Sequence, residues 1–218
     1  MKGLLLKDMY NLKGYSRQYL ILLIFFMIFG ISMGNSHYIM WMSLVLGLNV
    51  GFASFPFDEE GGYAYMLSCP VGRKTMVQAK YLLGLISGAV ILLCSAVGES
   101  LSRMVNGDAT EFWLVEMLIV LGVYFLFVSV LTPVSYHFGV EKARVVMLGM
   151  VAVPMVVIFL SLKLIRISAI TKMLKEITQM FTQKQMIYGG AFLFLVVGLL
   201  LLAGSYRLSL KIFNQKEF

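Results

Sequence analysis

The sequence predicts an all-α, polytopic integral membrane protein with six transmembrane helices and both termini in the cytoplasm. Three observations predict it. Six long apolar stretches fill most of the 218 residues. Hydrophobic residues make up 60% of the chain and charged ones only 13%, too few to cover a soluble core of that size. The basic residues also fall unevenly on the two sides of the alternating spans. The mean hydropathy of +0.86 agrees with the first two.

The spans predicted are 19–34, 38–55, 81–98 with a helical lead-in from Arg73, 112–131, 145–162 and 186–202. Each is close to the ~20 apolar residues that a helix needs to cross the hydrocarbon of a bilayer. Backbone groups in lipid must find partners within the segment, and none of these runs alternates with period two, so helices rather than a β-barrel are expected. No polar gap is long enough to fold alone. One transmembrane domain, 1–218, is therefore the predicted organisation. The residues after the first span (Ile31, Ser32, Met33, Gly34, Asn35) make a poor cleavage site, so that helix is expected to be retained.

An even number of spans puts both termini on one side. With the termini inside, the inner segments hold twelve basic residues: Lys2, Lys7, Lys13, Arg17, Arg73, Lys74, Lys80, Lys142, Arg144, Arg207, Lys211 and Lys216. The outer segments hold six: Arg103, Lys163, Arg166, Lys172, Lys175 and Lys184. The asymmetry favours cytoplasmic termini in a plasma-membrane protein. Thus the +7 net charge is mainly a topology signal. No basic patch is interleaved with stacking aromatics, so no nucleic acid is expected as a partner.

Three connections have structure of their own. In 1–18, Leu5, Met9 and Leu12 share one helical face and Lys7, Asn11 and Gly14 the other, which suits a helix at the inner interface. The alternative is a plain extension of the first span. In 163–184, Ile170, Met173, Leu174, Ile177, Met180 and Phe181 recur at helical spacing between Lys172, Lys175, Glu176, Gln179 and Gln183. This is an external amphipathic helix, lying on the membrane or capping the bundle.

The third connection, 56–80, is the most informative. It opens on Asp58, Glu59, Glu60 and a double glycine, and continues through Tyr63, Tyr65, Met66 and Leu67 to Pro70, which stops a helix. Arg73 and Lys74 then lead into the next span. Its aromatic and aliphatic surface, rimmed by charge, reads either as a docking patch or as a set of interfacial anchors.

Within the spans, Gly30-x-x-x-Gly34, Gly47-x-x-x-Gly51 and Gly84-x-x-x-Gly88 each set two glycines on one face and allow close helix packing. Pro154 permits a kink in the fifth span, and Pro133 is expected to end the fourth. The candidate pathway residues are Asn49, expected to hydrogen-bond to a neighbouring helix, and Glu116, one turn inside span four. The plainer role for Glu116 is a pair with Arg103 or contact with water. Glu99, four residues before Arg103, is explained by a surface pair.

Enzyme chemistry finds no footing. The only histidines, His37 and His137, fall on opposite sides of the predicted membrane, and there is no HExxH, no Gly-x-Ser-x-Gly and no phosphate-binding loop. Glu59-Glu60 lacks the arginine and histidines that would make it a prenyl-endopeptidase site. Cys69 and Cys94 have neither metal-site spacing nor a disulfide context, so no metal and no cofactor are expected in this chain.

Two stretches carry a family resemblance: the opening Met1-Lys2-Gly3-Leu4-Leu5-Leu6-Lys7-Asp8-Met9-Tyr10, and the acidic loop with Tyr63, Leu67, Ser68-Cys69-Pro70-Val71-Gly72-Arg73-Lys74 and Ala79-Lys80-Tyr81-Leu82. They resemble the small six-helix type-2 ABC exporter permeases of bacteria, in particular the branch that includes the phenol-soluble modulin exporters. Cys69 and Gly72 stand where that pattern has leucine and serine.

The resemblance implies that 57–74 is a coupling helix seated on a cytoplasmic ABC ATPase, through Asp58, Glu59, Glu60, Tyr63, Tyr65, Met66, Leu67, Pro70, Arg73 and Lys74. It implies that ATP and Mg are bound by that partner, and that a second copy or a related permease completes a homo- or heterodimer. Spans with few charges suit an amphipathic or apolar cargo, such as a peptide. The alternatives are a membrane-bound immunity or sensor protein with no transport cycle, and an intramembrane enzyme.

Overall fold

The structure, a computed structural model, describes residues 2–33, 36–53, 55–58, 62–63, 72–106, 113–164 and 183–215. The external amphipathic stretch 170–181, Gly34, and 59–61 and 64–71 of the inner connection lie outside the described residues.

Seven helices and no strand occur among the described residues: α1 (Lys2–Lys13), α2 (Ser16–Ser32), α3 (Ser36–Phe52), α4 (Arg73–Asn106), α5 (Trp113–Phe138), α6 (Val140–Leu164) and α7 (Gln183–Gln215). A single helical turn, Phe55–Phe57, follows α3. Three segments are each long and apolar enough to cross a membrane: Arg73–Ser102, Trp113–Phe138 and Ile187–Gln215. The pair α1–α2 makes a fourth candidate, bent by 66°. α3 is a shorter apolar helix.

The bend separates α1 from α2, so the N-terminal segment is a helix of its own rather than an extension of the first span. At the break, the Tyr15 N–H donates to the Leu12 carbonyl at 3.0 Å and Ser16 Oγ to the Lys13 carbonyl at 2.7 Å. These bonds take up backbone groups that the interrupted helix leaves over. The inward face of α1 differs from the predicted one. Asp8 is buried, whereas Met9 and Tyr10 are exposed. The face is chosen by charge pairing rather than by apolar surface.

α5 is the axis of the bundle. It packs against α3, α4, α6 and α7, with α7 its most extensive neighbour. Its buried residues include Val120, Leu121, Tyr124, Phe125, Val128 and Leu131, which meet Met40, Leu44 and Leu48 of α3 and Ile91 of α4. Glycines make room for large side chains in this core. A Cβ at Gly51 would stand 3.2 Å from both Ser87 Oγ and Tyr124 Oη, and one at Gly88 would stand 3.1 Å from the Tyr124 ring. Gly84 faces Val128 at 3.3 Å, Gly47 faces Ile91, and Gly30 together with Gly98 receives Ile39. The spaced glycines of α3 and α4 thus lie against side chains of this same chain. Tyr124 completes the fit by donating its hydroxyl hydrogen to the Gly84 carbonyl at 2.8 Å.

Pro133 does not end its helix; α5 runs on to Phe138. A proline inside a helix leaves the carbonyl four residues earlier without its N–H. That carbonyl, of Ser129, accepts a hydrogen bond from Ser205 Oγ of α7 at 2.5 Å. The neighbouring helix replaces the missing donor, and the helix continues. α5 stops instead at Gly139, whose φ of 90° belongs to the left-handed region that favours glycine.

α7 spans 33 residues, roughly 50 Å at 1.5 Å per residue, well beyond its apolar run at 186–202. The excess carries its C-terminal turns past the core, to the end of the bundle that holds α1.

Candidate functional site

At the end of the bundle that carries both termini, two lysines and two aspartates meet. Lys7 and Asp8 come from α1, Asp58 from the turn after α3, and Lys80 from the second turn of α4. Lys80 Nζ lies 2.5 Å from Asp58 Oδ2 and 3.1 Å from Asp8 Oδ1. Lys7 pairs with Asp58 and lies 3.3 Å from Asp8. Both aspartates are 1% exposed and Lys80 is 6% exposed, while Lys7 reaches the surface. Two positive and two negative charges close to zero, which is what allows such burial. Lys80 also lies 5.0 Å from the centre of the Phe55 ring, within cation–π range.

Aromatic rings wall this cluster. Tyr63 lies 6.2 Å from Tyr136 of α5 and 5.3 Å from Phe213 of α7, ring centre to ring centre. Phe55 meets Tyr136 at 5.5 Å, and Tyr136 meets Phe213 at 5.1 Å. Met76, Val77 and Tyr81 of α4 fill the remaining space. Offset and edge-on pairs of this kind contribute about 0.5–1.5 kcal/mol each beyond area burial. Tyr63 therefore faces inward, and not outward as the sequence pattern suggested: the rings of α5 and α7 give it a larger apolar contact than solvent does.

The far end of the same connection is fixed as well. Arg73 Nη1 donates to the carbonyls of Asn214 at 2.7 Å and Phe213 at 3.3 Å. These are final-turn carbonyls of α7, with no acceptor duty left inside the helix, and a cation there also meets the negative end of the helix dipole. Lys74 is exposed. Glu59, Glu60, Tyr65, Met66, Leu67 and Pro70 lie outside the described residues. The sequence reading singled out Asp58, Tyr63 and Arg73 from this site, and missed Lys7, Asp8, Lys80, Tyr136 and Phe213 as its other members. The signal that could have found them is that apolar surroundings force charges to pair, and Asp8 is the only acid in the first 57 residues.

One level deeper, Tyr81 Oη lies 2.6 Å from Ser205 Oγ and 2.9 Å from Ser209 Oγ. Ser205 already gives its hydrogen to the Ser129 carbonyl, so Tyr81 donates to Ser205 and accepts from Ser209. α4, α5 and α7 are tied at this point.

The opposite end holds the remaining candidate residues. Glu116 of α5 pairs with His37 of α3, and the side chain of Arg103, the partner predicted for it, lies outside the described residues. Glu99 is 3% exposed, so it is not the surface residue predicted for it. His137 sits in the last turn of α5 and Glu116 in the first, so the two histidines are at opposite ends of the bundle. Asn49 is exposed and donates to the Val45 carbonyl of its own helix at 2.9 Å, rather than to a neighbouring helix. Donation to the carbonyl four residues back satisfies the amide locally.

Between the bent pair α1–α2 and the faces of α3 and α4 runs an apolar groove of about 830 Å³, bounded by Leu6, Tyr10, Leu20, Leu46, Val50 and Ile91. Among the described residues no group of three or more His, Cys, Asp or Glu could hold a metal ion. The charged cluster joins α1, the inner connection and α4, which share its charges.

The family model described as ABC-2 family transporter protein matches residues 3–214. Among curated proteins and among solved structures there is no match.

Proposed function

We propose that this chain, which belongs to the ABC-2 family of transporter proteins, is the permease subunit of an exporter in the plasma membrane, driven by a separate ABC ATPase docked on 57–74. ATP and Mg belong to that partner. The observation that carries the reading is the anchoring of the connection on both sides of the docking stretch. Asp58 is held by α1 and α4, Tyr63 by α5 and α7, and Arg73 by the end of α7. Force applied between residues 59 and 71 would reach four helices through side chains that are buried or bonded. Glu59, Glu60, Tyr65, Met66, Leu67 and Pro70 supply the docking surface in this proposal. Asp58, Tyr63 and Arg73 fix that surface to the bundle.

Six spans, with the termini and this connection in the cytoplasm, complete the architecture. A second copy or a related permease forms the other half of the conduit. The apolar groove between α1–α2 and α3–α4 supports an amphipathic or apolar cargo, peptides included, better than an ion. Asn49 and Glu116 are the polar residues that such a cargo would pass.

Co-purification tests the central claim. An ATPase subunit should be recovered with the wild-type chain and lost with Leu67→Asp, while the variant keeps the wild-type elution profile in detergent. Recovery of no ATPase with the wild type, or undiminished recovery with Leu67→Asp, would overturn it. Cysteines placed at Glu60 and Lys175 test the topology: the first should be shielded from an impermeant reagent in intact cells and the second labelled.

A further inference from the structure

A second cavity, of about 680 Å³, opens beside α2 near the termini end of the bundle. It has two kinds of wall. Leu48, Phe52, Leu131 and Met147 are apolar, whereas Asn49 and Arg144 bring hydrogen-bond donors. Tyr15, just before α2, and Tyr19 of α2 also line it, at the depth where α2 begins. Tyrosines at such a level mark the boundary between hydrocarbon and headgroups.

Arg144 carries the only full charge among the described lining residues. It is exposed, and so are Val145 and Leu148 beside it on α6, both at more than half of their surface. From Arg144 onward this flank of α6 is therefore apolar. A guanidinium there needs a counter-charge or access to the interface. Among the described residues no acidic group lies within ion-pair distance of Arg144. Asp8 and Asp58 are engaged by Lys7 and Lys80, and Glu116 by His37. Glu141, one turn earlier on α6, is not among the ion pairs of the described residues.

We propose that this cavity binds one anionic phospholipid of the surrounding bilayer, its phosphate on Arg144 and the first part of an acyl chain against Leu48, Phe52 and Met147. The planar guanidinium offers paired donors that match phosphate oxygens. Asn49 spends one amide hydrogen on the Val45 carbonyl and retains the other for the headgroup. Basic pockets between transmembrane helices at headgroup level select anionic lipids in this way. The adjoining 830 Å³ groove is charged only at Lys13 of α1 among its described lining residues, and its α3 and α4 walls are uncharged.

The test is native mass spectrometry of the full-length chain in detergent supplemented with either phosphatidylglycerol or phosphatidylcholine. The wild-type chain should retain one phosphatidylglycerol about fivefold more strongly than phosphatidylcholine, the increment expected of one basic residue near anionic lipid. Arg144→Gln should abolish the preference. Arg144→Lys should keep part of it, because the charge remains and the fork is lost. Lys142→Gln, outside the cavity, should leave it unchanged. Equal retention of the two lipids by the wild type, a comparison that needs no variant to fold, would overturn the proposal. So would an undiminished preference in Arg144→Gln.

Discussion

The two ends of this bundle solve the problem of charge in a membrane protein differently. At the termini end, Asp8, Asp58 and Lys80 are buried in one cluster that Lys7 joins from the surface, beside the rings of Phe55, Tyr63, Tyr136 and Phe213. At the opposite end, Glu116 pairs with His37, which is half exposed. The three buried members have no water to fall back on, so each depends on the others. A pair with one partner half exposed can exchange that contact for solvent at smaller cost. The difference shows where a push can be transmitted and where it would dissipate.

The contrast is sharpest at Asp58. Asp58→Leu leaves Lys80 buried with half its counter-charge and should cost about 3–5 kcal/mol, measured as a fall in the thermal unfolding midpoint in detergent. Adding Lys80→Met should return much of that loss, since the pair is then removed rather than broken. If the two losses simply add, the charges do not act as a unit and the contrast between the ends fails.

Next in size is Gly122 of α5, where a Cβ would stand 2.6 Å from the Phe194 ring of α7. Gly122→Val should destabilise by about 1–3 kcal/mol through overpacking, with the same readout. Ser205→Ala removes the donor that serves the Ser129 carbonyl and should cost about 1 kcal/mol. In a Pro133→Ala background the loss should shrink, because an alanine N–H can take over that carbonyl; an unchanged loss would break the account of how α5 passes its proline. The smallest effect belongs to the opposite end. Glu116→Gln should change stability by less than about 1 kcal/mol, and a loss as large as that of Asp58→Leu would erase the distinction between the two ends.

How much of this was legible in the sequence follows the same division. The apolar runs predict helices well, because lipid leaves the backbone no alternative and composition alone fixes that outcome. Helix ends were less legible. Pro133 reads as a stop when only its own helix is considered, and the donor that cancels the penalty sits 72 residues later, on Ser205. The face of α1 was misjudged because amphipathic counting treats Asp8 as a surface residue, whereas its partner Lys80 is supplied by another helix. Tyr63 was placed outside for the same reason. Its neighbours in the chain are polar, and its neighbours in space are Tyr136 and Phe213. Spaced glycines are visible in the sequence, but not that Tyr124 fills the room beside them, with its hydroxyl at Gly51 and its ring at Gly88. In each case the missing information was a partner distant in sequence.

The serine that serves Pro133 has one more consequence, which is geometric. A helix held only by apolar contacts can slide along its neighbour, since one methyl group replaces another. Sliding α7 by a residue would take Ser205 away from the Ser129 carbonyl and from Tyr81 at once. Axial sliding is therefore resisted there, and tilting is resisted less. Ser205 then acts as a fulcrum with unequal arms, roughly 27 Å toward Ile187 and roughly 12 Å toward Phe213 at the helical rise per residue. A small displacement at the Phe213 end, where Arg73 and Tyr63 hold α7, becomes about twice as large at the other end of the helix.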